Sequence, residues 1–272
     1  MLADNHRSAR LQAAALGIVL GVVTLAAKGS AVAPPTPPPG HVVLLELFTS
    51  QGCSSCPPAD RLLSAIGTED VGRVVPLAFH VDFWNHQGWT DPFSSRDWTQ
   101  RQVAYERKLG LNQPYTPQAV VDGTTELVGS EAEKLRAAIR AASERPGATL
   151  ALEVAPSPSK VDVAVQVDVP EALRGRKLDL YVVLFETGLS TAVGRGENGG
   201  QTLQNDYVVR ALERVGRLSK DGDPGSGHTA SLRVSKDWNA ARLGIAAFLQ
   251  DPSSLAVCGA TARLLAADPG RS

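Results

Sequence analysis

Two cysteines separated by two serines, Cys53-Ser54-Ser55-Cys56, are the residues of this chain best placed for chemistry. They follow an apolar run, Val42 to Phe48, that reads as a buried strand. They precede Pro57-Pro58-Ala59-Asp60-Arg61-Leu62-Leu63-Ser64-Ala65-Ile66, whose leucines and isoleucine fall at helical spacing, with Gly67 as its end. Prolines at the start of a helix are tolerated because the first amides have no partner within the helix. Two thiols at such a helix start can close into a small disulfide and reopen, and the positive end of the helix stabilises the thiolate that attacks. The expected chemistry is thiol–disulfide exchange. Cys53, at the exposed start, is the expected attacking thiol, and Cys56, deeper, the resolving one. Ser54 and Ser55 leave small donors and free amides near the sulfur, and no lysine, arginine or histidine adjoins it.

Three further residues fall within reach of that chemistry. Glu46 lies among Leu44, Leu45, Leu47 and Phe48, where a carboxyl group must be paired, protonated or at the end of the sheet; one role open to it is proton acceptor for Cys56. Val74 to Val81 reads as a second buried strand, and His80 and Asp82 alternate onto one face at its end. There they assist proton transfer or hold the loop that follows. That loop, Asp82 to Pro92, sets Phe83, Trp84 and Trp89 among polar residues, and either lines a binding surface or covers the end of the core.

The competing chemistry is metal binding, since Cys53, Cys56 and one of His80 or His86 could hold a soft ion such as Cu(I). A closed zinc site wants four ligands, and the chain has no second cysteine pair. In a third reading the disulfide is structural and the protein a binding module, although closing so short a loop gains little. No cofactor and no resident metal are expected.

The elements that must position these groups follow in order. A helix between the strands at Val42 to Phe48 and Val74 to Val81 makes a βαβ unit with parallel strands. Ser94 to Leu109 reads as a helix capped by Ser95 or Asp97 and stopped by Gly110. Tyr115-Thr116-Pro117-Gln118 leads into Ala119-Val120-Val121, an Asp122-Gly123 turn and Glu126-Leu127-Val128, the pattern of a hairpin. Glu131 to Ala142 forms a last helix behind Ser130.

Strand, C-x-x-C, helix, strand, inserted helix, Thr-Pro, hairpin and helix, in that order, resemble the thioredoxin fold. Leu47 to Asp60, with His80-Val81-Asp82, Trp89-x-Asp91-Pro92-Phe93, Tyr115-Thr116-Pro117-Gln118 and Val121-Asp122-Gly123, resembles a family of exported bacterial thioredoxin-like proteins catalogued as a domain of unknown function. The resemblance covers nearly the whole chain after its N-terminal segment. It implies that Pro117 is cis and faces the dithiol, and that the Thr116 backbone pairs with a bound substrate strand. It also implies that Glu46 matches the buried acid of thioredoxins, one residue further from the first cysteine. Ser54-Ser55 in place of Gly-Pro, and no tryptophan just before Cys53, set the chain apart from thioredoxin itself.

Composition shifts after Ser143-Glu144-Arg145-Pro146-Gly147. Val161 to Val169 alternates strictly, as in a strand with one wet face, and Leu150 to Val154, Leu178 to Glu186, Tyr207 to Val215, Thr229 to Val234, Leu243 to Gln250 and Leu255 to Leu265 read as further strands. The expected fold class is an α/β thioredoxin-like domain over 41–145, followed by an all-β, sandwich-like domain over 146–268. Gly194-Arg195-Gly196-Glu197-Asn198-Gly199-Gly200 lacks the strand-to-helix setting of a phosphate-binding turn. It is either a plain mobile loop or a tongue folded over the dithiol.

At the N-terminus Arg7 and Arg10 precede an uncharged apolar run, Leu11 to Ala27, and then Ala31-Val32-Ala33. This reads as a secretory signal over 1–33 or, uncleaved, as a membrane anchor, with 34–40 a stiff proline-rich spacer. The expected destination is oxidising, the bacterial periplasm or the exterior. The expected partners are protein thiols or disulfides and a redox partner that resets the pair, with a membrane tether if the signal is retained. A formal net charge of −1 provides no basic surface for nucleic acid. Cys258, in the apolar Leu255 to Ala260, reads as a buried inert thiol.

Overall fold

The computed structural model describes residues 41–218 and 227–266. The expected signal and spacer, residues 1–33 and 34–40, lie outside them. The elements run β1 (Val43–Thr49), α1 (Pro57–Glu69), β2 (Val74–His80), α2 (Arg96–Leu109), β3 (Gln118–Val121), β4 (Thr125–Val128), α3 (Ala132–Ser143), β5 (Thr149–Pro156), β6 (Lys160–Asp168) and β7 (Asp179–Glu186). Then come β8 (Leu189–Ala192), β9 (Thr202–Asn205), β10 (Val208–Arg217), β11 (His228–Arg233), β12 (Leu243–Gln250) and β13 (Val257–Leu264).

A thioredoxin-like domain followed by a separate β-sandwich is not what forms. One mixed sheet of eight strands, in the order β13-β12-β7-β10-β2-β1-β3-β4, takes members from both halves of the chain. The join is parallel: Val208 of β10 registers with Ala78 of β2, and the Ala78 amide donates to the Tyr207 carbonyl at 2.8 Å. The reason lies in β1 and β2, whose seven residues each are all buried. Strands apolar on both faces need cover on both faces and a partner on each side. β12 is buried along its whole length and β7 at every residue but the half-buried Tyr181, so they suit the interior of a large sheet better than the half-wet sheet of a small sandwich. β5, β6 and β11 keep the alternating, one-face-wet character and form a separate three-stranded sheet, while the short β8 and β9 alternate too and pair with each other.

Side chains divide the core accordingly. On one face of the large sheet, Val43, Leu45, Leu47, Ala78 and Val121 pack under α1 and α3 with Leu63, Ile66, Leu135 and Ile139. Further along that face, Leu180, Val182, Leu184, Ile245 and Ala247 meet Val161, Val163 and Val165 of the small sheet. On the opposite face α2 lies across the join, with Trp98 and Tyr105 against Phe48, Phe79, Phe185 and Phe248. Ser95 caps α2 by accepting from the Asp97 amide, and Gly110 ends it in the left-handed conformation. α3 begins one residue later than its sequence pattern suggests, with Glu131 and not Ser130 at its cap.

Candidate functional site

β1 delivers the chain at Thr49 into a tight turn, where the Cys53 amide donates to the Ser50 carbonyl and the Cys56 amide to the Cys53 carbonyl, both at 3.2 Å. Cys53 and Cys56 are joined as a disulfide with their Cα atoms 5.5 Å apart, and Cys56 is the cap residue of α1, with Pro57 and Pro58 as its first two members. Ser54 and Ser55 are exposed, yet both cysteines are 0% exposed. The expectation that Cys53 stands open at the helix start is therefore corrected.

The cover is the glycine-rich segment between β8 and β9, which is the tongue and not a plain loop. Asn198, buried, donates through Nδ2 to the carbonyls of Gln51 and Cys53, both at 2.9 Å. Glu197 Oε2 accepts from the Ser54 amide at 2.9 Å, and those bonds from Ser54 hold the Glu197 carboxyl below its ordinary range. Gly196 has φ of 76° and lies so close to Trp89 that a Cβ would stand 3.2 Å from the indole's own Cβ, so glycine is required there on both counts. The hairpin behind the tongue is pinned by Gln51, whose Nε2 donates to Thr191 Oγ1 at 3.0 Å and Asn205 Oδ1 at 2.9 Å. Trp89 Nε1 donates to Gln51 Oε1 at 3.3 Å, so the aromatic loop grips the same glutamine.

Thr116-Pro117 is a cis peptide bond. It lies beside the disulfide turn, the Ser55 hydroxyl donating to the Thr116 carbonyl at 3.5 Å, while Trp84 Nε1 donates to Thr116 Oγ1 at 2.8 Å. The other sequence candidates part company. Glu46 points to the α2 face, away from α1, where it accepts from Arg101 Nε at 2.6 Å and from the Tyr105 hydroxyl. It is not brought to Cys56. Asp82 accepts from Thr99 Oγ1 at 2.6 Å and ties the loop to α2. His80 is buried, on the α1 face, and its Nδ1 donates to Asp91 Oδ2 at 2.7 Å. Burial opposes charge on this imidazole, but the Asp91 carboxylate more than offsets it and the pKa is raised. Asp91 also accepts from the Gln51 and Phe93 amides. His86 is exposed. Among the described residues no group of three or more His, Cys, Asp or Glu side chains is arranged to hold a metal ion.

Four residues that sequence reasoning passed over complete the site: Gln51, Asp60, Asp91 and Asn198. Asp60 had a readable signal, being four residues beyond Cys56 and so on the same side of the helix. Its carboxyl accepts from Thr49 Oγ1 at 2.8 Å, and burial pushes it up to about 6. Cys258 is a buried free thiol in β13, its pKa raised by burial, and takes no part in this constellation.

A large mixed sheet carrying a covered Cys-x-x-Cys disulfide at a strand-to-helix corner defines the class of protein. The chain belongs to the DUF1223 family, described as proteins of unknown function, whose pattern it matches over residues 44–250. Among solved structures it is similar to protein AGR_C_4864 from Agrobacterium tumefaciens, with 30% identity, 85% of this chain and 98% of that one covered, and a TM-score of 0.66. It shares its fold with HBP35 of Porphyromonas gingivalis, at 16% identity, with 86% and 79% covered and a TM-score of 0.61. No curated protein matches the chain.

Proposed function

We propose that this protein is an exported thiol–disulfide oxidoreductase, acting on protein thiols or disulfides through Cys53 and Cys56. The observation that carries the reading is the disulfide itself, closed across the first turn at the N-terminus of a thirteen-residue helix, beside the cis Thr116-Pro117 bond. The helix end favours the thiolate that a broken bond leaves behind. In the reducing direction a partner thiolate attacks Cys53 Sγ, the S–S bond breaks, and Cys56 departs with the electron pair and takes a proton. A second thiolate of the partner then attacks the mixed disulfide. It frees Cys53 as thiolate and leaves the partner oxidised by two electrons; the reverse sequence reduces a partner disulfide and re-forms the Cys53–Cys56 bond. The signal read over 1–33 supports delivery to the periplasm or exterior, where such a bond persists.

Burial of both sulfurs favours one alternative, a structural staple that seats the tongue. Titration of the exported form in glutathione buffers, counting free thiols, separates the two. A reversible two-electron transition is expected, unchanged by Cys258→Ser and abolished by Cys53→Ser. Thiols locked across the whole range establish the staple, and equal loss in both variants removes the site assignment.

A further inference from the structure

Cys56 and Asp60 stand one turn apart on the buried side of α1, the Asp60 amide donating to the Cys56 carbonyl at 3.1 Å. β1 and β2 are in parallel register with Thr49 beside His80, so both side chains face α1. Thr49 Oγ1 holds one Asp60 oxygen. His80 gives its Nδ1 to Asp91, and its Nε2 is buried with no hydrogen-bond partner. Asp91 in turn accepts from the Gln51 amide, in the turn that carries Cys53. An acid, an imidazole and a second carboxylate thus lie on the side of the sheet that carries α1 and its disulfide turn, with one ring nitrogen vacant.

We propose that these three groups are the proton store of the disulfide: Asp60 gives its proton to Cys56 as that sulfur leaves, and His80, anchored by Asp91, holds the carboxylate that remains. The proposal rests on the exchange reading above and deepens it. A sulfur released on the buried side of α1 cannot stay an anion cheaply, and an acid on that same side can supply its proton directly. The electron pair of the broken bond goes to Cys56 Sγ, the proton moves from the Asp60 carboxyl, and the vacant Nε2–H of the His80 imidazolium gains the new carboxylate as acceptor. Solvent refills Asp60 when the tongue is open. In the oxidising direction the Asp60 carboxylate takes the Cys56 proton before that sulfur attacks the mixed disulfide.

Burial raises the Asp60 carboxyl to about 6 although His80 draws it back, which suits a group that must gain and lose a proton near neutrality. Its charged neighbours keep their states there. Arg61 of α1 and Arg210 of β10, which faces His80, are cationic. Burial opposes charge on Asp206, beside α1, yet bonds from Thr187, Ser64 and the Gly188 amide hold its carboxyl low. The neighbouring Tyr207 phenol is pushed up by burial and stays neutral, and Glu197 on the tongue is held low by Ser54.

The test is the rate of disulfide reduction by dithiothreitol, divided by its thiolate fraction, between about pH 5 and 8. The corrected rate is expected to fall severalfold as pH rises through about 6, where Asp60 loses the proton it would donate. Asp60→Asn, which keeps the shape and the bond from Thr49, is expected to lose that inflection. His80→Gln is expected to move it to higher pH, because the imidazolium no longer supports the carboxylate; this variant decides if Asp60→Asn does not fold. A merely structural role lowers the melting temperature and leaves the profile in place. An inflection that survives Asp60→Asn or ignores His80→Gln overturns the proposal, as does normal reduction with no inflection in the unmodified protein. If the disulfide resists dithiothreitol at every pH, the exchange reading falls with it.

Discussion

Arg101→Met is expected to lower the stability of the fold by about 3–5 kcal/mol, the cost of leaving a buried charge without its partner. Glu46 is fully buried in β1 and depends on Arg101 Nε at 2.6 Å and on the Tyr105 hydroxyl. Arg101 also donates to Tyr105 at 3.0 Å, and its guanidinium lies 5.2 to 6.0 Å from the ring centres of Phe79, Tyr105, Tyr181 and Phe248. Those rings come from β2, α2, β7 and β12, so one side chain ties the helix to strands from both halves of the chain. Burial opposes charge on Arg101, but the Glu46 carboxylate outweighs it and keeps the guanidinium protonated. The measurement is urea unfolding, where the midpoint should fall with the slope unchanged. Adding Glu46→Leu should recover much of the loss, since the penalty comes from the stranded carboxylate and not from a missing attraction. A loss below about 1 kcal/mol in the single variant would place this pair with ordinary surface ion pairs.

Asn198→Ala is expected to speed reduction of the disulfide by a small thiol about ten- to a hundredfold. The amide of Asn198 is the donor to two carbonyls of the disulfide turn. Removing it strands the Gln51 carbonyl, at about 1–3 kcal/mol for a buried group left unsatisfied, and leaves the Cys53 carbonyl with the Cys56 amide alone. That cost falls on the closed tongue alone, because water satisfies the carbonyls when the tongue lifts. Reduction has to pass through the open form, since neither sulfur is exposed in the closed one. The rate should therefore follow the opening equilibrium, at tenfold per 1.4 kcal/mol. Rates of thiol release with dithiothreitol at neutral pH check this, with global stability followed by denaturant. An unchanged rate, with the variant folded, would mean that the sulfurs are reached by a route that does not involve the tongue.

What could be read from the chain beforehand was whatever is decided within a few residues. The Cys-x-x-Cys turn, the prolines after it, the Ser95 cap and the Gly110 stop depend on neighbours and stand where the pattern placed them. Glu46 was readable as a carboxyl in need of a partner, but the partner comes from α2 on the face opposite the dithiol, and no local pattern assigns a lone strand residue its face. The glycine-rich segment was readable as a loop, while its reach depends on where the β8–β9 hairpin is pinned by Gln51. The pairing of β2 with β10 left no local trace at all. An unbroken apolar strand reports that both its faces are covered, and says nothing of which distant strand will lie beside it.

That pairing also sets an order of events for a chain made from its N-terminus. β2 is complete long before Val208 exists, and until then its edge, apolar from Val74 to Phe79, is open to any other strand that meets it. The first half therefore gains its missing neighbour only when β10 has been made. The tongue arrives just ahead of β10, so Cys53 and Cys56 stay bare until the sheet closes over them. Any thiol reagent that meets the chain before that point finds the pair without its cover.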